Sequence, residues 1–193
     1  MSDDKGRTKP FIHPSAIVET VSLGSGTRVW AFAHILAGAV IGEDCNICDH
    51  CFIESHVVLG NRVTVKCGIY LWDGTIVEDD AFLGPAVVFT NDLRPRSKHY
   101  KAAVQTVIRK GASLGAGTSV LAGVTIGAHA MTGIGSVVTR DVPAHALVYG
   151  NPARFRAWID EDGRDLSPEE RGFWRSEGGA RYQETTGGLV RCT

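Results

Sequence analysis

The chain has 193 residues, 44% of them hydrophobic, and a net charge of −1. This is one domain's worth of sequence, without the basic excess of a nucleic-acid binder or the charge of a membrane-surface protein. No apolar run approaches the length of a membrane span, and the opening MSDDKGRTKP lacks the hydrophobic core of a secretion signal, so a cytoplasmic protein is expected.

From Ile17 every sixth residue is aliphatic or aromatic, through Leu23, Val29, Ile35 and onward without a miss to Phe89. A strand repeats every 2 residues and a helix about every 3.6, so a period of six predicts a repeat architecture with one short flat segment per hexad. The residues four further on, Val21, Thr27, Ala33 and their successors to Val87, are small or β-branched, and both sets are expected to point inward. Three hexads then form an 18-residue coil around a triangular core. Gly24, Gly42, Gly60 and Gly84 each follow an inward aliphatic, where the chain turns. Coils stack about 4.8 Å apart, so roughly seven make a prism about 30 Å tall.

Within this frame Cys45, Cys48 and Cys51 form a C-x-x-C-x-x-C run that invites a metal or redox reading. The hexad phase sets Cys45 and Cys51 on different faces and Cys48 at a corner, so a structural role as small hydrophobes is expected and no metal site. Further along, Ala37, Ser55, Asp73 and Asn91 are each 18 apart, beside a second column of Leu36, Glu54, Trp72 and Thr90. Glu54, Trp72, Asp73 and Asn91 thus belong to one patch. A carboxylate one coil from an amide can hold an amine and take up its proton; the bland alternative is that Asp73-Gly74 and Asn91-Asp92 are turn residues.

The phase breaks after Phe89 and resumes at Ile108, so Thr90 to Val107 reads as a loop thrown out of the solenoid, and residues 11–142 as the repeat domain. Residues 143–193 form an extension. Val142-Pro143 and Asn151-Pro152 mark turns. A short helix is expected within 154–166, and Ser167-Pro168-Glu169-Glu170 reads as a capping box opening another through Trp174. The glycine-rich end, from Ser176, is either a strand against a neighbour or a loose tail.

The hexad pattern [LIV]-[GAED]-x-x-[STAV]-x resembles that of the hexapeptide-repeat acyltransferases. The resemblance implies an all-β, left-handed parallel β-helix with a protruding loop and a short helical C-terminal extension; period alone does not set the hand, since parallel crossovers are ordinarily right-handed. More narrowly, residues 61–98 with their F-T-N and P-R-S, RVWAFAHIL at 28–36 and residues 108–127 resemble N-acetyltransferases of nucleotide-linked amino sugars, over about Phe11 to Trp158. The stretch VKCGIYLWDG departs from the Asn-rich run of the UDP-diamino-uronate enzymes and places the chain nearer those acting on dTDP-3-amino-3,6-dideoxyhexoses.

This resemblance implies a homotrimer with active sites in clefts between subunits, acetyl-CoA as co-substrate, and direct attack of the sugar amine on the thioester. Asn91 is then the residue that contacts the amine, with Asp73 beside it and a backbone N–H near the resumed coils for the oxyanion. Glu54, Trp72, His34 and Arg94 are candidates for further substrate contacts, and Arg28 and Trp30 offer a charge and a stacking surface for a nucleotide lying towards the N-terminal coils. For coenzyme A the resemblance implies the small-residue stretch Gly115, Ala116, Gly133 and Ile134 along the pantetheine arm, with Arg140, Arg154 and Arg156 for the phosphates. The chief alternative is an O-acetyltransferase with a histidine base, for which His34 is the first candidate. A γ-type carbonic anhydrase needs three convergent histidines, and the histidine spacing supplies no such set; a non-catalytic scaffold is the remaining option.

Overall fold

The computed structural model describes residues 8–192; most of the MSDDKGRTKP start lies outside them. Nearly every hexad contributes a strand of two or three residues followed by a tight turn, and each strand pairs in parallel with the strand one coil away. Three sheets result. The first face runs from Phe11–Ile12 through Arg28–Val29, Asn46–Ile47 and Thr64–Val65 towards Met131–Thr132. The second includes Ile17–Val18, His34–Ile35, Phe52–Ile53, Tyr70–Leu71 and Val88–Phe89, and the third starts at Ser22–Leu23. This is the all-β, left-handed parallel β-helix implied by the hexads and the resemblance.

The repeat forms because two-residue strands leave one side chain facing in and one facing out. Ile35, Ile47, Ile53, Val65 and Leu71 are wholly buried, each contributing about 1.5–3 kcal/mol by removal from water. Register is 18 residues over most of the prism, as in Asn46 with Thr64 and Thr64 with Phe82, and becomes 31 where Phe82 meets Ser113 across the loop. Chain resumes its sheet at Thr106–Ile108.

Within the repeat, two sequence expectations need correction. The first coil is one residue short: Ile17 pairs with His34 and Val18 with Ile35, so Val18 faces in while Ile17 is half exposed and Val21 almost fully so. Six-fold counting slips between Val18 and Leu23, and both residues being aliphatic hides the slip. Nor do Gly24, Gly42, Gly60 and Gly84 supply the left-handed turn conformation. A Cβ on Gly42 would lie 2.3 Å from the Gly60 carbonyl oxygen, so these glycines permit close stacking of coils. The left-handed residues lie two places later and include non-glycines such as Asp44, His50, His56 and Arg62.

The extension is not helical. Ala146–Tyr149 joins the first face, and Arg154–Trp158 pairs with it antiparallel. Ser167–Pro168, Phe173–Arg175, Arg181–Thr185 and Gly188–Arg191 then build a four-stranded antiparallel sheet. The expected capping box yields only a 3₁₀ turn, Glu170–Gly172, because Arg171 and Gly172 both adopt positive φ and the chain reverses. Glu169, instead of capping, accepts hydrogen bonds from Arg175 and from Arg181 at 2.8 Å. The glycine-rich end is a hairpin whose Tyr182 is wholly buried and donates its hydroxyl to Glu161. With Leu166, Trp158 and Leu189 it closes the open end of the core.

Cys45 and Cys51 point inward, each with its sulfur 3.1 Å from a carbonyl oxygen of the next coil, Gly60 and Lys66 respectively. Burial pushes the Cys51 thiol up to about 12 and raises that of Cys45, consistent with structural thiols.

Candidate active site

The second face fixes the site. Tyr70 pairs with Phe52 and with Val88, so the residues just beyond these strands stack at one corner: Glu54, Trp72 and Thr90, then Ser55, Asp73 and Asn91. Thr90 anchors the end of this column. Its hydroxyl donates to the Val120 carbonyl (3.3 Å) and accepts from the Ala122 N–H (2.9 Å), holding the chain where it leaves the prism. Trp72 donates its indole N–H to the Phe89 carbonyl at 2.8 Å.

Glu54, Asp73 and Asn91 together form one wall of an open cleft of about 630 Å³, and the loop supplies the other, with Asp92, Arg96 and Lys101 among its residues. The Asp73 N–H donates to Glu54 Oε2 at 2.8 Å, which fixes the backbone ahead of the Asp73-Gly74 turn. Asp73 Oδ2 lies 3.3 Å from His56 Nδ1. This leaves the Asp73 carboxylate partly exposed and able to accept from a ligand. In the loop, Asp92 Oδ1 accepts from the Arg94 N–H (2.7 Å) and from Lys101 Nζ (3.3 Å), and these contacts, the backbone one foremost, lower the Asp92 pKa. Lys101 also donates to the Arg94 carbonyl at 3.1 Å, so the two ends of the loop are cross-tied.

Other predicted residues lie elsewhere on the chain. Trp72 packs against Phe52 and Tyr70, with ring centroids 6.0 and 6.1 Å away, and its side chain does not line the cleft. His34 stands two coils above Asp73 on the same face, bonded through Nε2 to Glu19 Oε1 at 2.9 Å; this bond is the main cause of the lowered Glu19 pKa. Arg28 and Trp30 line a separate groove on the first face, and Arg94 lies in a smaller hollow that shares Asn91 and Asp92. Gly115 and Gly133 sit where an added Cβ would come within 2.6 Å of the Thr132 carbonyl oxygen and 2.7 Å of Tyr149 Cβ, so coil stacking alone requires them. Ala116 accepts the Gly135 N–H, Ile134 is exposed, and Arg140 and Arg154 are exposed without a carboxylate partner among the described residues.

Sequence reasoning missed His56 as a neighbour of Asp73. The signal was available in the spacing: it is 17 residues from Asp73, and the corner conformation at φ 61° turns its ring towards the next coil. The loop residues Arg96 and Lys101 carried no such signal, since a loop outside the repeat has no register.

The family profile described as bacterial transferase hexapeptide (six repeats) matches residues 20–55. Over 150 residues the chain is 60% identical to dTDP-3-amino-3,6-dideoxy-alpha-D-galactopyranose 3-N-acetyltransferase of Aneurinibacillus thermoaerophilus, covering 77% of this chain and 78% of that one. Among solved structures, a mutant perosamine N-acetyltransferase from Caulobacter crescentus in complex with CoA and GDP-perosamine is 30% identical, with a TM-score of 0.41 over 80% of this chain and 60% of the other. A hexapeptide-repeat acetyltransferase from Vibrio cholerae, complexed with acetyl coenzyme A, is 23% identical with a TM-score of 0.52, over 79% of this chain and 73% of that one, and shares the fold.

Proposed function

Since the chain belongs to the hexapeptide-repeat acyltransferases, in the branch of the dTDP-3-amino-sugar N-acetyltransferases, we propose that it transfers an acetyl group from acetyl-CoA to the 3-amine of a dTDP-linked 3-amino-3,6-dideoxyhexose. The observation that carries this reading is the meeting of Asp73 and Asn91 on one wall of the loop-bordered cleft. An amine acceptor needs what that wall offers: acceptor oxygens that hold the N–H groups and aim the lone pair, and a carboxylate able to take the proton.

In the proposed reaction Asn91 and Asp73 bind the amine in its neutral form. The nitrogen attacks the thioester carbonyl, a backbone N–H near the resumed coils stabilises the oxyanion, and the C–S bond breaks to release the CoA thiolate. The ammonium proton passes to Asp73 or directly to the thiolate, and no covalent enzyme intermediate forms. His56 faces the outer oxygen of Asp73 and Glu54 holds its backbone, so both are assigned to positioning that carboxylate.

The donor fits the C-terminal coils of this chain. Ala116 and exposed Ile134 offer a surface for the pantetheine arm beside Gly115 and Gly133, and the exposed guanidiniums of Arg140 and Arg154, without a carboxylate partner among the described residues, suit the phosphates. Arg28 and Trp30 are assigned to the nucleotide, and His34 to the acceptor side of a cleft shared with a neighbouring subunit. Closed threefold assembly belongs to the same proposal; the exposed Ile17, Tyr70 and Val88 on the second face support it by leaving an apolar stripe for a neighbour to cover. A cytoplasmic location is also proposed, where acetyl-CoA is supplied; among the described residues no helix is long and apolar enough to cross a membrane.

The test is thiol release from acetyl-CoA with dTDP- and UDP-linked 3-amino and 4-amino sugars, using wild type, Asn91→Ala, Asp73→Asn and His34→Ala. Turnover of a dTDP-3-amino sugar that collapses in the first two variants and persists in the third supports the proposal. Reaction only with hydroxyl acceptors, or loss confined to His34→Ala, sinks it in favour of O-acetyl transfer by a histidine base.

A further inference from the structure

A pair of cysteines lies on the first face, away from the cleft. Cys48 follows the strand Asn46–Ile47, and one coil on Lys66 and then Cys67 follow Thr64–Val65. Two backbone hydrogen bonds bracket them, Cys48 N–H to the Val65 carbonyl at 2.9 Å and Gly68 N–H to the Asp49 carbonyl at 3.1 Å, so the two corners are clamped together. Both residues line one groove, so the two thiols open to the same space. Coils spaced about 4.8 Å apart with a one-residue offset place the two Cα atoms inside the roughly 4.4–6.8 Å window that a disulfide spans.

Both sulfurs are open to reagents. Cys67 is exposed, Cys48 is partly buried, and both line a groove of about 360 Å³ with Arg28, Trp30, Asn46 and Asp49. Asn46 steadies the inner thiol: its amide N–H meets Cys48 Sγ at 3.3 Å while its carbonyl oxygen accepts the Trp30 indole N–H at 2.8 Å. Cys51, the other sulfur near this pair, is turned into the core, and its raised pKa keeps it a thiol.

We propose that Cys48 and Cys67 are a redox pair that closes to an intramolecular disulfide when the folded protein meets a low-molecular-weight disulfide. The Cys67 thiolate attacks one sulfur of the reagent and expels the first thiolate, which keeps the proton that Cys67 lost. The Cys48 sulfur then attacks Cys67 in the mixed disulfide, expels the second thiolate and gives up its own proton to it. The reagent is reduced to two thiols and the protein is oxidised by two electrons. The order follows from exposure, because burial raises the Cys48 thiol above its ordinary value and leaves it the slower first nucleophile. The product is a staple between adjacent coils on the wall of the Arg28–Trp30 groove.

The experiment incubates the native full chain with oxidised glutathione, counts free thiols after denaturation and maps peptides without reduction. The expected result is loss of two of the five thiols, a linked Cys48–Cys67 peptide, and full recovery with dithiothreitol. Cys48→Ser is expected to stop at a stable glutathione adduct on Cys67, and Cys67→Ser to react several-fold more slowly. Retention of all five thiols, a persistent adduct on Cys67 in wild type, or linkage through another cysteine would overturn the proposal. None of these readouts depends on transferase activity.

Discussion

At the scale of single residues, the chemistry rests on which polar atoms stay available. Asp73 and Asn91 face the cleft with free acceptor capacity, whereas Trp72 has spent its one donor on the Phe89 carbonyl. Asn91→Ala removes the proposed amine ligand, and a loss of about 10²–10⁴ in kcat/KM is expected, the range of a positioned polar group in catalysis; steady-state thiol release measures it. His56→Gln keeps a hydrogen-bond donor near Asp73 and is expected to cost less than His56→Ala in the same assay, the order a positioning residue predicts. Equal, complete inactivation by both would instead make His56 the base.

At the scale of elements, close stacking and the C-terminal cap decide stability. Gly42→Ala puts a methyl 2.3 Å from the Gly60 oxygen, and the forced shift of one coil is expected to cost roughly 1–3 kcal/mol, read as a lower urea midpoint. The cap carries a pH dependence. His145 is buried, stacks on His129, and donates from Nδ1 to the Ile159 carbonyl at 3.0 Å; burial lowers its pKa. With the folded pKa below the unfolded value, the unfolded chain binds more protons as pH falls, so this contribution is complete above about pH 6.5 and is lost progressively below it. Glu161, whose pKa is lowered by its bond from Tyr182 and the nearby Arg191, loses its contribution in the same direction at lower pH. Urea midpoints are therefore expected to fall from pH 7.5 to pH 5.5 in wild type and to fall less in His145→Gln.

At the scale of the whole molecule, the prism is a column of coils with an apolar stripe on one outer face and a loop that forms one wall of the cleft. Light scattering is expected to give three times the 20.7 kDa chain mass; a monodisperse monomer would remove the neighbouring subunit from the proposed site. Replacing 92–104 with a short glycine linker is expected to leave the cooperative unfolding transition in place, because coils on both sides of the loop pair directly through Phe82 and Ser113. Activity is expected to fall by orders of magnitude, since one wall of the cleft is gone.

The sequence by itself determined the prism, its three parallel faces, the 18-residue register and the stacking of Glu54, Asp73 and Asn91, because a period of six in inward-facing residues fills a triangular core with three short faces per coil, whichever its hand. It was equally sufficient to keep Cys45 and Cys51 apart. Only the tertiary structure decided what lay outside that period. The short first coil was hidden by adjacent aliphatics at Ile17 and Val18, and the pairing of His56 with Asp73 depended on a corner conformation that six-fold counting does not specify. The C-terminal segment carried local helix signals at Ser167-Pro168-Glu169-Glu170, yet it formed strands. There the exposed end of the core needed a cover, and burying Tyr182 and Leu189 against it outweighed a cap worth about 1 kcal/mol.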